Sequence, residues 1–83
     1  LQQNYPNPFN PSTQIRFSLA VSSAVVLDVY SIDGTKVASL VNQVLNAGWH
    51  TATFNAANLP TGLYLYRLNT GSQQITKKMM LMK

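Results

Sequence analysis

Asp28, Asp33 and His50 are the only carboxylate or imidazole side chains in this 83-residue sequence, and they fall into no pattern that a reaction uses. A glycosidase sets two carboxylates on either side of one bond. Asp28 belongs to the middle of a strand and Asp33 to a turn, so that geometry is not expected. A Ser-His-Asp set can be written on paper around His50, but no serine stands in a nucleophile elbow. A metal site needs three or four ligands. His50 and two distant aspartates do not supply them, and cysteine and glutamate are absent. There is no glycine-rich phosphate loop. His50 reads more simply as a partly buried strand residue. No catalytic residue, cofactor site or metal site is therefore expected, and the chain does not read as an enzyme.

Binding chemistry has two further candidates. Trp49, Tyr30 and Tyr66 could form an aromatic face on which a sugar stacks, although core or half-core positions in a small sandwich explain them more simply. Met79-Met80-Leu81-Met82 can fill a core, or can form an edge strand that adds to a partner's sheet. Lys77, Lys78 and Lys83 most simply keep that edge soluble; functionally they read as a short basic mark for a receptor.

The composition supports this reading. Charged residues make up 10% of the chain, against about 25% in an average soluble domain. The 28 Asn, Gln, Ser and Thr residues carry the polarity instead, which suits an extracellular or cell-surface β-protein. The net charge of +4 comes from scarcity of acid. Only Lys77-Lys78 are adjacent cations, so nucleic acid is not an expected partner. No apolar run approaches the ~20 residues of a membrane span. No signal peptide is visible. The start at Leu1 suggests a piece of something longer, with a signal upstream. A chain this short buries only about 60–65% of its unfolded surface, and no disulfide can assist it.

The elements follow from alternation. Tyr5-Pro6-Asn7-Pro8-Phe9-Asn10-Pro11-Ser12-Thr13 predicts a stiff strap: its prolines cannot donate ladder bonds and hold the preceding residues extended. Tyr5 and Phe9 are expected to anchor it. Gln14 to Leu19 alternates with Ile15, Phe17 and Leu19 inward. Ala24 to Ile32 is the next strand, with Asp28 outward and Val25, Leu27 and Val29 inward. Asp33-Gly34 reads as a two-residue hairpin turn. Lys36 to Val41 returns, and the spacing of Val37 and Leu40 implies a bulge or an early end. Asn42 to Gly48 reads as a connection crossing between sheets, and Trp49 to Phe54 as a strand with His50, Ala52 and Phe54 on one face.

Leu59-Pro60-Thr61-Gly62 makes a corner, where glycine tolerates a positive φ. From it runs the central strand, with Tyr64, Tyr66 and Leu68 on one face and Leu63, Leu65 and Arg67 on the other. Both faces are largely apolar. The Tyr64 hydroxyl is expected to close the corner, as a tyrosine corner does in immunoglobulin-like domains. Asn69 to Ser72 is a turn, and Gln73 to Met82 the last strand. Together these predict an all-β, immunoglobulin-like antiparallel β-sandwich of about six to seven strands. Residues 1–83 form one domain: a strap over 1–13 and a sandwich over 14–83.

Several stretches resemble a known family. They are Gln3-Asn4-Tyr5-Pro6-Asn7-Pro8-Phe9-Asn10-Pro11-Ser12-Thr13, Val29-Tyr30 with Asp33-Gly34, Ala47-Gly48-Trp49-His50, Leu59-Pro60-Thr61-Gly62-Leu63-Tyr64, and Lys78-Met79-Met80-Leu81-Met82-Lys83. In order and over essentially the whole chain they resemble the C-terminal sorting domain of the type IX secretion system. Ala20 and Ser31 depart from that pattern, where proline and aspartate are common. The resemblance implies the last module of a larger secreted protein, with a covalently linked N-terminal passenger. It implies recognition by outer-membrane translocon components, with a sortase-like peptidase attaching the passenger to the surface of a Gram-negative bacterium. It also implies fold-defining roles for Pro6, Pro8, Phe9, Pro11, Gly34, Gly48, Gly62 and Tyr64. The implied signal positions are Lys78 and Lys83 with the strand between them; with Lys77 added, the expected signal is Lys77, Lys78, Met79, Met80, Leu81, Met82 and Lys83. The family in turn resembles the immunoglobulin-like module of flagellar hook-capping proteins, so fold alone does not fix the role.

Two other functions compete. One is a carbohydrate or cell-wall-binding module using Trp49 and neighbouring tyrosines. The other is a structural module that self-associates through edge strands into fibres or a surface layer.

Overall fold

A computed structural model describes all of Leu1–Lys83. Six strands and no helix form two antiparallel sheets: β1 (Ser12–Leu19), β2 (Ser23–Ser31), β3 (Lys36–Leu45), β4 (Gly48–Asn55), β5 (Gly62–Asn69) and β6 (Gln74–Leu81). One sheet is β1-β4 and the other β3-β2-β5-β6. The class is the expected immunoglobulin-like sandwich.

Period-two alternation builds the core. Ile15, Phe17 and Leu19 of β1 and Ala52 and Phe54 of β4 face Val25, Leu27 and Val29 of β2, Tyr64, Tyr66 and Leu68 of β5, and Met79 and Leu81 of β6. Each is buried because successive side chains of a strand point to opposite faces. Phe9 of the strap joins them and meets Phe54 edge to face, ring centroids 6.1 Å apart. His50 lies opposite Phe17 and stacks on it at 5.6 Å, half-buried, as a strand residue.

The β2–β3 pairing shifts register twice, between Leu27 and Asp28 and between Val29 and Tyr30. Leu40 and Val37 are left without cross-strand partners there, which reconciles their three-residue spacing as bulges. The strand does not end early; it continues to Leu45, so the crossing between sheets is only Asn46 and Ala47.

Two further expectations are corrected. The β2–β3 turn has three residues, not two. Ser31 and Thr35 pair by a main-chain bond, Gly34 N–H donates to Ser31, and Gly34 has φ 93°. A tight turn ending in a left-handed residue needs this glycine. Gly62 has φ 159°, a positive value that residues with a Cβ rarely adopt, as expected of the corner glycine. Tyr5 does not anchor the strap through its ring, which is 82% exposed. Its main chain pairs reciprocally with Gln14 at 2.9 Å. Tyr5 and Gln14 are direct partners, so both point outward, and the inward place beside them falls to buried Asn4.

Candidate functional site

The last strand has two kinds of side chain. Met79 and Leu81 are core residues, while Lys78 is exposed, Met80 is half-exposed and Met82 is 54% exposed. Lys77 shares the inner-face parity with Met79 but lies half-buried. The core reading of the methionines holds for Met79 alone. Lys78 and Met80 stand on the outer face of the four-stranded sheet, opposite Leu65 and Leu63.

From Lys78 to Met82 most of the outer edge of this strand is closed, which corrects the expectation of a terminal strand free to dock along its length. Phe9 donates its N–H to Met80 and accepts one from Met82, both at 3.0 Å. Met80 N–H donates to Asn7 Oδ1 at 3.0 Å, and Gln3 Nε2 donates to the Lys78 carbonyl at 2.7 Å. Lys83 is tied to the corner loop: its N–H reaches Thr61 Oγ1 at 3.1 Å and its ammonium the Ala57 carbonyl at 2.8 Å. Over residues 78–82 the Lys78 and Met80 carbonyls and the Met80 and Met82 N–H groups are therefore taken from any added strand.

The strap is held by polar groups. Asn4 donates its main-chain N–H to the Tyr66 hydroxyl at 2.9 Å, and that hydroxyl donates to the Gln2 carbonyl at 2.9 Å. Asn4 Nδ2 reaches Thr13 Oγ1 at 2.9 Å and the Pro6 carbonyl at 3.0 Å, and the Thr13 hydroxyl also donates to Pro6. The Pro11 carbonyl accepts from Ala56 N–H at 2.9 Å. Pro8 lies between Asn7 and Phe9, the two residues that grip Met80, and is itself exposed. Sequence reasoning missed Gln3, Asn4, Asn7, Thr13 and the Tyr66 hydroxyl. The available signal was the repeated Asn in Asn-Tyr-Pro-Asn-Pro, where a short amide side chain can satisfy nearby main chain.

The Tyr64 hydroxyl donates to the Pro60 carbonyl at 2.6 Å, the expected corner. Gly48, at φ 120°, begins β4 immediately after the crossing. The proposed aromatic face does not form. Tyr66 is in the core, Tyr30 lies on the outer side of the larger sheet, and Trp49 lies on the other sheet, 55% exposed with Arg16 stacked at 4.7 Å.

The acid–base groups stay apart. Asp33 caps the β2–β3 turn, bonded by the Ser31 hydroxyl and by Thr35 N–H at 3.1 Å. The Ser31 hydroxyl, then the Thr35 contacts, hold its carboxyl below the ordinary value. Burial pushes the Tyr66 phenol above its usual value near 10, against the opposing bond from Asn4. The surface has two depressions. One lies at the end of the sandwich between Leu19, Val21 and Ile75, and one between Tyr5, Gln14 and Thr53; neither contains Asp28, Asp33 or His50. No three His, Cys, Asp or Glu side chains cluster as metal ligands would.

Fold and surface together define a small β-sandwich that displays its own C-terminal strand, locked in place by its N-terminal strap. The family described as "Secretion system C-terminal sorting domain" matches residues 3–82, and the chain belongs to it. It is thus a sorting signal of type IX secretion, the route to the surface or exterior of Gram-negative bacteria, in a family that is in general non-catalytic. Searches of curated proteins and of solved structures each found no match.

Proposed function

We propose that this domain is the C-terminal module of a larger secreted protein and does no chemistry itself. It carries an N-terminal passenger through the periplasm to the outer-membrane translocon, where the passenger is exported and attached at the cell surface by a sortase-like peptidase. The address is Lys77–Lys83, read chiefly through the outward side chains of Lys78, Met80 and Met82. The observation that carries this reading is the family match, which runs from the strap through the last strand. The strand's geometry agrees with it: most of the edge over residues 78–82 is occupied and three outward side chains remain displayed.

The test fuses the domain to a fluorescent passenger in a Gram-negative host carrying the type IX machinery. Export is expected for the intact fusion and not for the passenger alone. Deleting Lys78–Lys83 would remove Met79 and Leu81 from the core, so the address is better tested with Lys78→Gln, Met82→Ser and Lys83→Gln combined. Retention of that folded variant supports the address; full export rejects it.

A further inference from the structure

A sheet with one face on the core and one in water alternates apolar and polar residues. The β1-β4 sheet obeys: Gln14, Arg16, Ser18, Thr51 and Thr53 point outward, with Trp49 the one large apolar group. The four-stranded sheet does not. Tyr30, Leu65 and Lys78 form one outward row across β2, β5 and β6, and Leu63 and Met80 the next. Leu63, Leu65, Met80 and Tyr30 are half-exposed, and no element of the domain covers them. This is why both faces of β5 are apolar in the sequence: the inner face packs on the core and the outer face has no partner.

The same face holds an incomplete polar site. Asp28 is only 8% exposed, and its Oδ1 has no hydrogen-bond partner. Its other oxygen is 4.0 Å from Lys36 Nζ. Arg67, its neighbour across the strands, is turned away, stacked 5.0 Å from the Tyr30 ring and bonded to Thr76. Buried acceptors are rarely left unpaired.

We propose that this outer face is a docking surface that continues the address strand across β5 onto β2. Its occupant is a protein of the export machinery with an apolar centre, carboxylates at its rim and an N–H or O–H donor over Asp28. This rests on the reading of the domain as a sorting signal. Charge selects the occupant. Lys36, Arg67 and Lys78 ring the apolar row, and Asp28 is the only acid on the face. A two-fold contact with a second copy would set this basic ring against itself, a repulsion that disfavours it. An acidic rim complements it, and exposed apolar patches ringed by polar residues are typical of such contacts.

The experiment uses the same fusion, with Leu63→Thr and Leu65→Thr made singly and together. Threonine puts a β-branched, strand-favouring polar residue at a solvent-facing strand position. Thr53→Lys on the outer face of the other sheet is the control. The double variant is expected to lose at least tenfold in exported passenger, with an unchanged denaturation midpoint and normal export of the control. Export equal to the intact fusion overturns the docking surface while leaving the sorting role standing. Retention of the intact, folded fusion in the periplasm rejects the sorting role and this occupant with it. If the double variant unfolds, Leu65→Glu, which keeps part of the aliphatic stem and sets a carboxylate against the occupant's acidic rim, gives the same decision. Light scattering of the purified domain should show monomer. A dimer abolished by Leu65→Thr would assign the face to a second copy and overturn the proposal.

Discussion

Phe9 gives its main-chain N–H to Met80 and takes one from Met82, so a residue near the start of the domain is a ladder partner of the last strand. The ring of the same residue is buried against Phe54. One side chain thus fixes the strap, and the strap's main chain fixes the address strand. Phe9→Ala should cost about 3–5 kcal/mol, a large part of the ~5–15 kcal/mol that holds a typical domain together. Chemical denaturation should show a steep fall in the midpoint. With the edge freed, light scattering should show association that grows with concentration.

Asn7 isolates the edge from the core, because its side chain is exposed and contributes one bond to Met80 N–H. Asn7→Ala should cost only about 0.5–1.5 kcal/mol. Hydrogen exchange should accelerate at the Met80 amide while amides of β2 and β5 keep their protection. Uniform acceleration would mean that the strap and the sandwich open as one unit.

The corner has a sharper signature. Tyr64 Oη lies 2.6 Å from the Pro60 carbonyl, and its ring is buried. Tyr64→Phe removes the donor and keeps the packing, so a loss of about 1–3 kcal/mol is expected. An unchanged midpoint would show that the hydroxyl does not hold the corner. Gly34→Ala should cost about 1–2 kcal/mol, because φ is 93° and the space around a new Cβ is open, leaving only backbone strain.

What can be read from the chain follows from what is local. Alternation in Gln14–Leu19 and Gly62–Leu68 places the core residues, because side-chain direction in a strand depends only on parity. The Tyr64 corner is legible because Pro60 is four residues away. The strap's partners are not, because the Asn4–Tyr66 and Asn7–Met80 bonds join residues more than sixty positions apart, and no periodicity encodes them. The β2–β3 turn is one residue longer than its Asp-Gly pair implies because Ser31 and Thr35, outside that pair, close it. Trp49, Tyr30 and Tyr66 look alike as residue types and separate only once the strand order is known. Likewise, the apolar outer face of β5 looks like a second core face until the sheet is seen to have nothing above it.

Tyr66 makes alkaline stability depend on the strap. Burial raises its phenol above the unfolded value near 10, so the folded chain holds this proton more tightly than the unfolded chain. Stability from this group is complete below pH 10 and declines as pH rises through the higher folded value. The Tyr66→Phe variant should be less stable at neutral pH, since Asn4 N–H and the Gln2 carbonyl both lose their partner. It should also lack this alkaline slope. Denaturation midpoints measured from pH 8 to 11 check both effects.

Asp33 does the opposite at the acid end. Its carboxyl accepts from the Ser31 hydroxyl and Thr35 N–H, contacts that favour the ionised form and lower its value below 3.8. The folded chain therefore releases this proton more readily than the unfolded chain. The stabilisation is complete above the unfolded value and disappears as pH falls through the folded one. Because the turn is solvent-exposed, the effect should be small and weakened further by salt. Asp33→Ala should lower the midpoint slightly at pH 7 and flatten its dependence between about pH 5 and 2. Asp33→Asn should retain an acceptor for Thr35 N–H and recover part of the neutral stability without the slope. A variant series in which both substitutions keep the acid slope would show that Asp33 is not its source.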